Sequence, residues 1–256
     1  FALRENDNVE VNIAKGFAKL SCEVKKVIPK PEVITETDDY LILNKPAHLI
    51  IHPAPSIKEP TLVDWLKNNY PDIKDVGEDE IRPGIVQRLD KEVSGVMVIA
   101  KTQKMFEHLK NEFQERNVKK EYLALVYGVL ETETGIIDFP LKRSKLTGRM
   151  VALPKHETGK KSITKYVVEN KYSRYTYLKV TIETGRTHQI RSHLKAFNHP
   201  VVGDKIYYNK NLVNNLKLDR LFLHAHTLGF NDLNNEYKEY KIEIPKELNN
   251  ILNELK

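Results

Sequence analysis

Between residues 175 and 184 apolar and polar side chains alternate, with Leu178, Val180 and Ile182 separated by Lys179, Thr181 and Glu183. A period of two puts each set on one face of an extended chain, so this stretch predicts a half-buried strand. Tyr40-Leu41-Ile42-Leu43 predicts another, stopped at Lys45-Pro46 because proline has no N–H to give a ladder. Residues 122–126 and 240–244 read as strands, and the unbroken apolar run Val96-Met97-Val98-Ile99-Ala100 as a buried one. Elsewhere the spacing is helical. Thr61 can cap a helix whose inner face is Leu62, Trp65 and Leu66; Thr102 can cap one carrying Met105, Phe106, Leu109 and Phe113. A third helix starts after Gly185 with Ile190, Leu194 and Phe197, and a last one carries Leu248, Ile251, Leu252 and Leu255. Strands outnumber helices and are not evenly interleaved with them. The expected class is α+β, a mostly antiparallel mixed sheet with flanking helices.

Residues 1–31 read differently from 32–256. The pattern Val9-Glu10-Val11-Asn12-Ile13 resembles a last strand, and Pro29 and Pro31 punctuate a linker. The expectation is the truncated end of a small N-terminal module, followed by one larger domain over 32–256. No apolar run reaches the roughly 18 residues of a membrane helix. Cys22 is the sole cysteine, which excludes an internal disulfide and suits a reducing, cytoplasmic setting; it reads as a small hydrophobe. The net charge of +6 is unevenly spread. Lys142, Arg143, Lys145, Arg149, Lys155, Lys160 and Lys161 face only Glu157 in the same stretch, a block suited to phosphates or to a solvated loop.

Candidate chemistry concentrates in Arg82-Pro83-Gly84-Ile85-Val86-Gln87-Arg88-Leu89-Asp90-Lys91-Glu92-Val93-Ser94-Gly95. Asp90 sits between Arg88 and Lys91 on a loop that feeds the buried run. A carboxylate held rigidly there, kept ionised by flanking cations, has what a nucleophile needs. His188 with His193, and His224 with His226, lack the companions of a zinc site, and neither a His-Glu-x-x-His nor a cysteine pair exists. No metal and no cofactor are expected.

This window resembles the His-Arg-Leu-Asp-Lys-x-Thr-Ser-Gly loop of the RluA-type (RluA/RluC/RluD) pseudouridine synthases. Other segments agree in the family's order. Asn44-Lys45-Pro46-Ala47-His48 is similar to its Lys-Pro-Ala-Gly motif, and Lys119-Lys120-Glu121-Tyr122 to its Lys-x-Tyr strand. Thr184-Gly185-Arg186-Thr187-His188-Gln189-Ile190-Arg191 resembles its Thr-Gly-Arg-Thr-His-Gln-Ile-Arg motif. Val201-Val202-Gly203-Asp204 and Leu223-His224-Ala225 match two C-terminal signatures. The resemblance implies the family's catalytic fold over 32–256, with the N-terminal remnant similar to the end of an S4-like RNA-binding domain. It implies Asp90 as the catalytic aspartate, Tyr122 as the active-site tyrosine and Arg191 as the partner of Asp90. Arg88, Ile190, Arg186, Lys45 and His188 are expected around the substrate. Lys45 also reads as a packed, backbone-bonding lysine, and Arg186 as a turn cap. The implied partner is RNA, ribosomal RNA of the large subunit before transfer RNA, with the target uridine flipped out of its helix. No membrane and no obligatory protein partner are implied.

This sequence departs from the family at Gln87, where His is usual, at Val93, where Thr is usual, and at His48, where Gly is usual. Gln keeps hydrogen-bonding capacity; the Val side chain has none. A left-handed backbone at His48 would carry a cost. Two other readings stand beside the enzyme: an RNA-binding or ribosome-assembly factor that has lost catalysis, and a glycoside hydrolase, for which no second carboxylate lies in a comparable motif. Whether Asp90 attacks the sugar or assists removal of its C2′ proton stays open at this level.

Overall fold

A computed structural model describes residues 29–53, 59–208, 216 and 218–255, with the paired strand backbones β1 (Val11–Asn12) and β2 (Phe17–Ala18). Cys22, and the rest of the expected N-terminal module, lie outside the described residues. The chain continues as β3 (Glu32–Glu36), β4 (Tyr40–Lys45), α1 (Leu62–Asn69), a 3-10 turn at Pro71–Asp75, β5 (Ser94–Ala100), α2 (Gln103–Glu115) and β6 (Lys119–Tyr127). Then come β7 (Thr134–Ile137), β8 (Leu141–Arg143), β9 (Met150–Ala152), β10 (Thr164–Lys171), β11 (Tyr175–Ile182), α3 (Gln189–Ala196), β12 (Leu223–Asn231), β13 (Tyr237–Lys241) and α4 (Lys246–Glu254). This is the α+β class that the strand-rich pattern predicts.

The main sheet runs β3-β4-β5-β12-β6-β11-β10-β7, with β13 also paired to β12. Among the described strands only β5 and β12 are parallel. β6 occupies one edge of β12, so β5 and β13 share the other: β5 meets it at His224 and Ala225, and β13 takes over from Thr227. The sheet therefore splits where β5 begins, at the end of the Asp90 loop. β5 is buried at every position, which is why it is continuously apolar from Val96 to Ala100. Gly95 makes the close approach at the split. Its φ is +122°, and a Cβ there would lie 2.1 Å from the Ala225 carbonyl oxygen.

A buried polar network braces the same point. Arg220 Nη2 donates to Ser94 Oγ (2.7 Å), Ser94 Oγ pairs with His224 Nδ1 (2.9 Å), and His224 Nε2 pairs with the Ile242 carbonyl (3.1 Å). The donors and acceptors close if Ser94 donates to Nδ1 and His224 carries its proton on Nε2. Burial pushes the imidazole pKa down to about 4, in line with a neutral ring.

Thr61 and Thr102 cap α1 and α2 as the pattern predicts, Thr61 in a reciprocal capping box with Asp64. Other boundaries shift for local reasons. β13 is Tyr237–Lys241 rather than 240–244, because Asp232 Oδ1 accepts the N–H groups of Asn234 and Glu236 and pins a tight turn that sets the register. β11 stops at Ile182 because Thr184 Oγ1 accepts the Ile163 N–H and donates to Gln189 Oε1, turning the chain. α3 begins at Gln189, after His188 takes a left-handed conformation (φ 51°). Trp65, Phe197 and Leu255 are half-buried at the margins of the core.

Candidate active site

The Asp90 loop is stitched down along its length. Gly84 donates to the Val76 carbonyl (2.7 Å), and Ala100 of β5 donates back to the Gly84 carbonyl (3.0 Å). Leu89 is buried, and the Val93 N–H closes a tight turn on the Asp90 carbonyl (3.1 Å). Val93 thus serves through its backbone while its side chain packs in the core, so the missing hydroxyl removes no bond the turn uses. The Lys45 ammonium clamps the turn from below. It donates to the carbonyls of Pro46 (2.8 Å), Leu49 (2.9 Å) and Lys91 (3.3 Å). His48 adopts φ 66°, the left-handed turn that the family's glycine would take freely. Lys45 itself is wholly buried and does not line the cleft, so its position is that of the backbone-bonding lysine and not of a substrate contact.

α3 brings Arg191 to Asp90. Its Nη1 donates to Asp90 Oδ2 at 2.9 Å, while Nε and Nη2 grip both oxygens of Asp204 at 2.7 and 2.9 Å. Arg191 is buried, and burial alone would lower its pKa; the hydrogen bonds and charges of Asp204 and then Asp90 outweigh that and hold it above its ordinary value. Asp204 also accepts the backbone N–H groups of Ile206 (2.8 Å) and Tyr207 (2.9 Å). His188 Nε2 faces the same Asp90 Oδ2 at 3.6 Å. Oδ1 of Asp90 has no hydrogen-bond partner among the described residues, so one oxygen is anchored and the other is without a protein donor.

The sequence expectation of flanking cations needs correction. Lys91 points away, in an ion pair with Glu59 (2.7 Å), and Arg88 is exposed on the cleft wall without contacting Asp90. The charge that anchors Asp90 comes from α3, because the tight turn at residues 90–93 directs its neighbours outward.

Asp90 stands in a cleft of about 580 Å³ and borders a second of about 470 Å³, with Arg88, His188 and Arg191 common to both. Tyr122 of β6 and Ile190 of α3 line the first. Burial, then the charge of Asp90, raise the Tyr122 pKa, so the phenol keeps its proton. Arg82 and Lys110 on the rim pair with Asp79 and Glu78, whereas Arg88, Arg116 and Arg186 have no acidic partner among the described residues. Arg186 spends its backbone N–H on Gln189 Oε1 (3.1 Å) and its Nε on the Lys161 carbonyl (3.4 Å), so it is at once a turn cap and a cation facing the cleft. Two cleft residues hold buried polar atoms without a hydrogen bond, Gln87 Nε2 and His52 Nδ1.

An anchored carboxylate with one free oxygen, beside a protonated phenol and an apolar wall, in a cleft rimmed by cations, suits attack on a sugar or proton transfer at a flat polyanionic substrate. Similarity to known proteins gives the reaction class. The family model for RNA pseudouridylate synthase matches residues 39–196. The chain belongs to that family. An RNA pseudouridine synthase of Aquifex aeolicus is 37% identical over 95% of this chain and 78% of its own length. The ribosomal large subunit pseudouridine synthase D of Blochmanniella floridana is 34% identical over 82% of this chain and 65% of its own length. The solved structure of human RNA pseudouridylate synthase domain containing 1 superposes with a TM-score of 0.70 at 26% identity, covering 84% of each chain. The reaction class is therefore that of a pseudouridine synthase, an isomerase of RNA, and the fold is the family's.

In this synthase Asp90, Tyr122, Arg191, Ile190, His188, Arg88 and Arg186 all line one cleft. Sequence reasoning missed what Asp204 does: it lies in a matched signature, but nothing in that string reveals that it grips Arg191 from behind. Tyr207 was missed outright. Among the described residues, no three His, Cys, Asp or Glu side chains assemble into a metal site, and no helix is long and apolar enough to cross a membrane.

Proposed function

We propose that this synthase isomerises uridine in large-subunit ribosomal RNA, with Asp90 as its catalytic carboxylate. The observation that carries the reading is the split role of the Asp90 oxygens: Oδ2 is held by Arg191 and Oδ1 is free within the cleft. The reaction must break the C1′–N1 bond, turn the base and join C1′ to C5, with a proton leaving C5 and one reaching N1. Oδ1 is suited either to attack C1′, with uracil leaving as its anion, or to take the C2′ proton. Tyr122, protonated and on the cleft wall, is suited to lie under the base and to exchange a proton with it. The base must leave its helix to reach Oδ1.

One observation supports RNA of the ribosome and a second supports RNA in general. Relatives over four-fifths of this chain carry a large-subunit name. The basic block falls on the hairpin β8–β9 and the strand-like segment beside it, with Leu146 almost fully exposed at the tip. Such a hairpin suits a phosphate backbone. The test is tritium release from transcripts labelled at uridine C5. Release from large-subunit ribosomal RNA and none from transfer RNA is expected; the reverse reassigns the substrate. Salt-sensitive binding of both without release would favour the assembly factor that has lost catalysis.

A further inference from the structure

We propose that Tyr207 is a positioning residue: its hydroxyl locks His188 in the tautomer whose Nε2–H faces the Asp90 carboxylate. The residue is held by three contacts. Its ring packs T-shaped on the His188 ring (centroids 5.5 Å apart, planes at 85°), the Arg191 guanidinium lies over its face at 5.2 Å, and its backbone N–H donates to Asp204 Oδ1. The hydroxyl has two partners. The Met150 N–H of β9 donates to it at 3.0 Å, and His188 Nδ1 lies 3.0 Å away.

The first of these contacts decides the second. With a lone pair taken by Met150, the phenol O–H is free to donate, and Nδ1 is the acceptor within reach. A neutral imidazole that accepts at Nδ1 carries its proton at Nε2. The opposite tautomer would give the phenol oxygen two donors and leave its own proton without an acceptor among the described residues. It would also turn the Nε2 lone pair toward Asp90 Oδ2 at 3.6 Å. Both protonation states that the chain of bonds needs are favoured. Burial raises the Tyr207 pKa, keeping the O–H, and burial lowers that of His188, where Asp90 and Asp204 pull upward and Arg191 and Arg88 push down.

Oδ2 is then flanked by two donors, Arg191 Nη1 and His188 Nε2, which steer Oδ1 toward the substrate. The hydroxyl that sets this up is seated by the basic hairpin, so a hydrogen-bonded line from Met150 through Tyr207 ends at His188, whose Nε2 lies 3.6 Å from the carboxylate.

The activity part rests on Asp90 being the catalytic carboxylate; the tautomer part does not. Ring ¹⁵N NMR of the wild-type protein should show His188 protonated at Nε2 and bare at Nδ1. Tyr207→Phe, which keeps the ring contacts, should weaken that preference to what Asp90 alone enforces and lower kcat about tenfold with KM within about twofold, the size of a typical coupling between neighbours. His188→Asn tolerates the left-handed backbone and removes the ring; in that background Tyr207→Phe should cost nothing further. A wild-type Nδ1–H, an unchanged kcat in Tyr207→Phe, or an equal loss in both backgrounds overturns the proposal. Should Tyr207→Phe fail to fold, the wild-type Nδ1 ¹⁵N shift still decides it: the value of a hydrogen-bonded lone pair is expected, and that of a free one overturns the proposal. A correct tautomer with Asp90→Asn fully active would instead overturn the catalytic reading and leave the lock standing.

Discussion

Asp204→Asn removes one charge from the most enclosed ion pair of the site while keeping its shape. The Asp204 side chain has no exposed surface and accepts four hydrogen bonds, two from Arg191 and two from backbone N–H groups. If the amide oxygen stays on Ile206, Tyr207 and Nη2, the new N–H₂ faces Arg191 Nε, donor against donor. Breaking one partner out of a buried pair costs about 3–5 kcal/mol. Arg191 keeps Asp90, and the backbone donors keep an acceptor, so the lower end applies, about 3 kcal/mol. For a domain this size that is a fall in Tm of roughly 6–12 °C. Arg191, released at the rear, no longer aims Asp90, and a misplacement near 1 Å costs about a hundredfold in kcat. Arg191, against burial, holds the Asp204 carboxyl below its ordinary range. The stabilisation is thus present above that range and lost as pH falls through the lowered value, and the gap between variant and wild type should close in acid. Urea unfolding followed by circular dichroism, at unchanged slope, measures the loss. A loss below about 1 kcal/mol, the value of an ordinary exposed pair, would refute the reasoning.

Three further outcomes are expected. Gly95→Ala drives a methyl into the Ala225 carbonyl at a φ of +122° and should destabilise by more than about 3 kcal/mol, read from the urea midpoint; a neutral result would mean the sheet split is adjustable. His224 binds fewer protons folded than unfolded between its folded pKa of about 4 and its ordinary 6.5, so acid should erode stability across that window by up to about 1.4 kcal/mol per pH unit. His224→Gln should flatten that slope in stability measured against pH. Lys142→Glu with Lys145→Glu should leave Tm unchanged and lower the salt slope of RNA binding, measured by filter retention, by about 1–2; an unchanged slope would remove the hairpin from the RNA path.

Legibility followed the physics of each signal. α1 and α2 were readable because a capping threonine and an apolar stripe are local, and β5 because a doubly buried strand must be continuously apolar. β3 and β7 were not singled out: they are short edge strands whose burial is partial, so their alternation is weak; β10 alternates only in its first half, before the register shift between Val168 and Asn170. At the site, Asp90, Tyr122 and Arg191 were legible by resemblance to family motifs. Their electrostatics were not, because the sequence neighbours Arg88 and Lys91 face outward and the working cation arrives from a helix distant in sequence. The fully buried Lys45 shows the same limit in reverse: a motif position drew it into the substrate site, and the fold uses it as a clamp beneath the loop. Tyr207 carries no local pattern at all; its place is set by Asp204, Arg191 and Met150, three elements that meet only in the folded chain.

The central claim is that the free oxygen of Asp90 does the chemistry. Tritium release from C5-labelled large-subunit ribosomal RNA by wild type and by Asp90→Asn, with RNA binding measured in parallel, tests it most directly. Asn keeps the size of the side chain and an acceptor for Arg191, so fold and binding should persist. Release at least about a thousandfold slower is expected in Asp90→Asn, as for loss of a covalent or general-base group. Release by Asp90→Asn at the wild-type rate would contradict it.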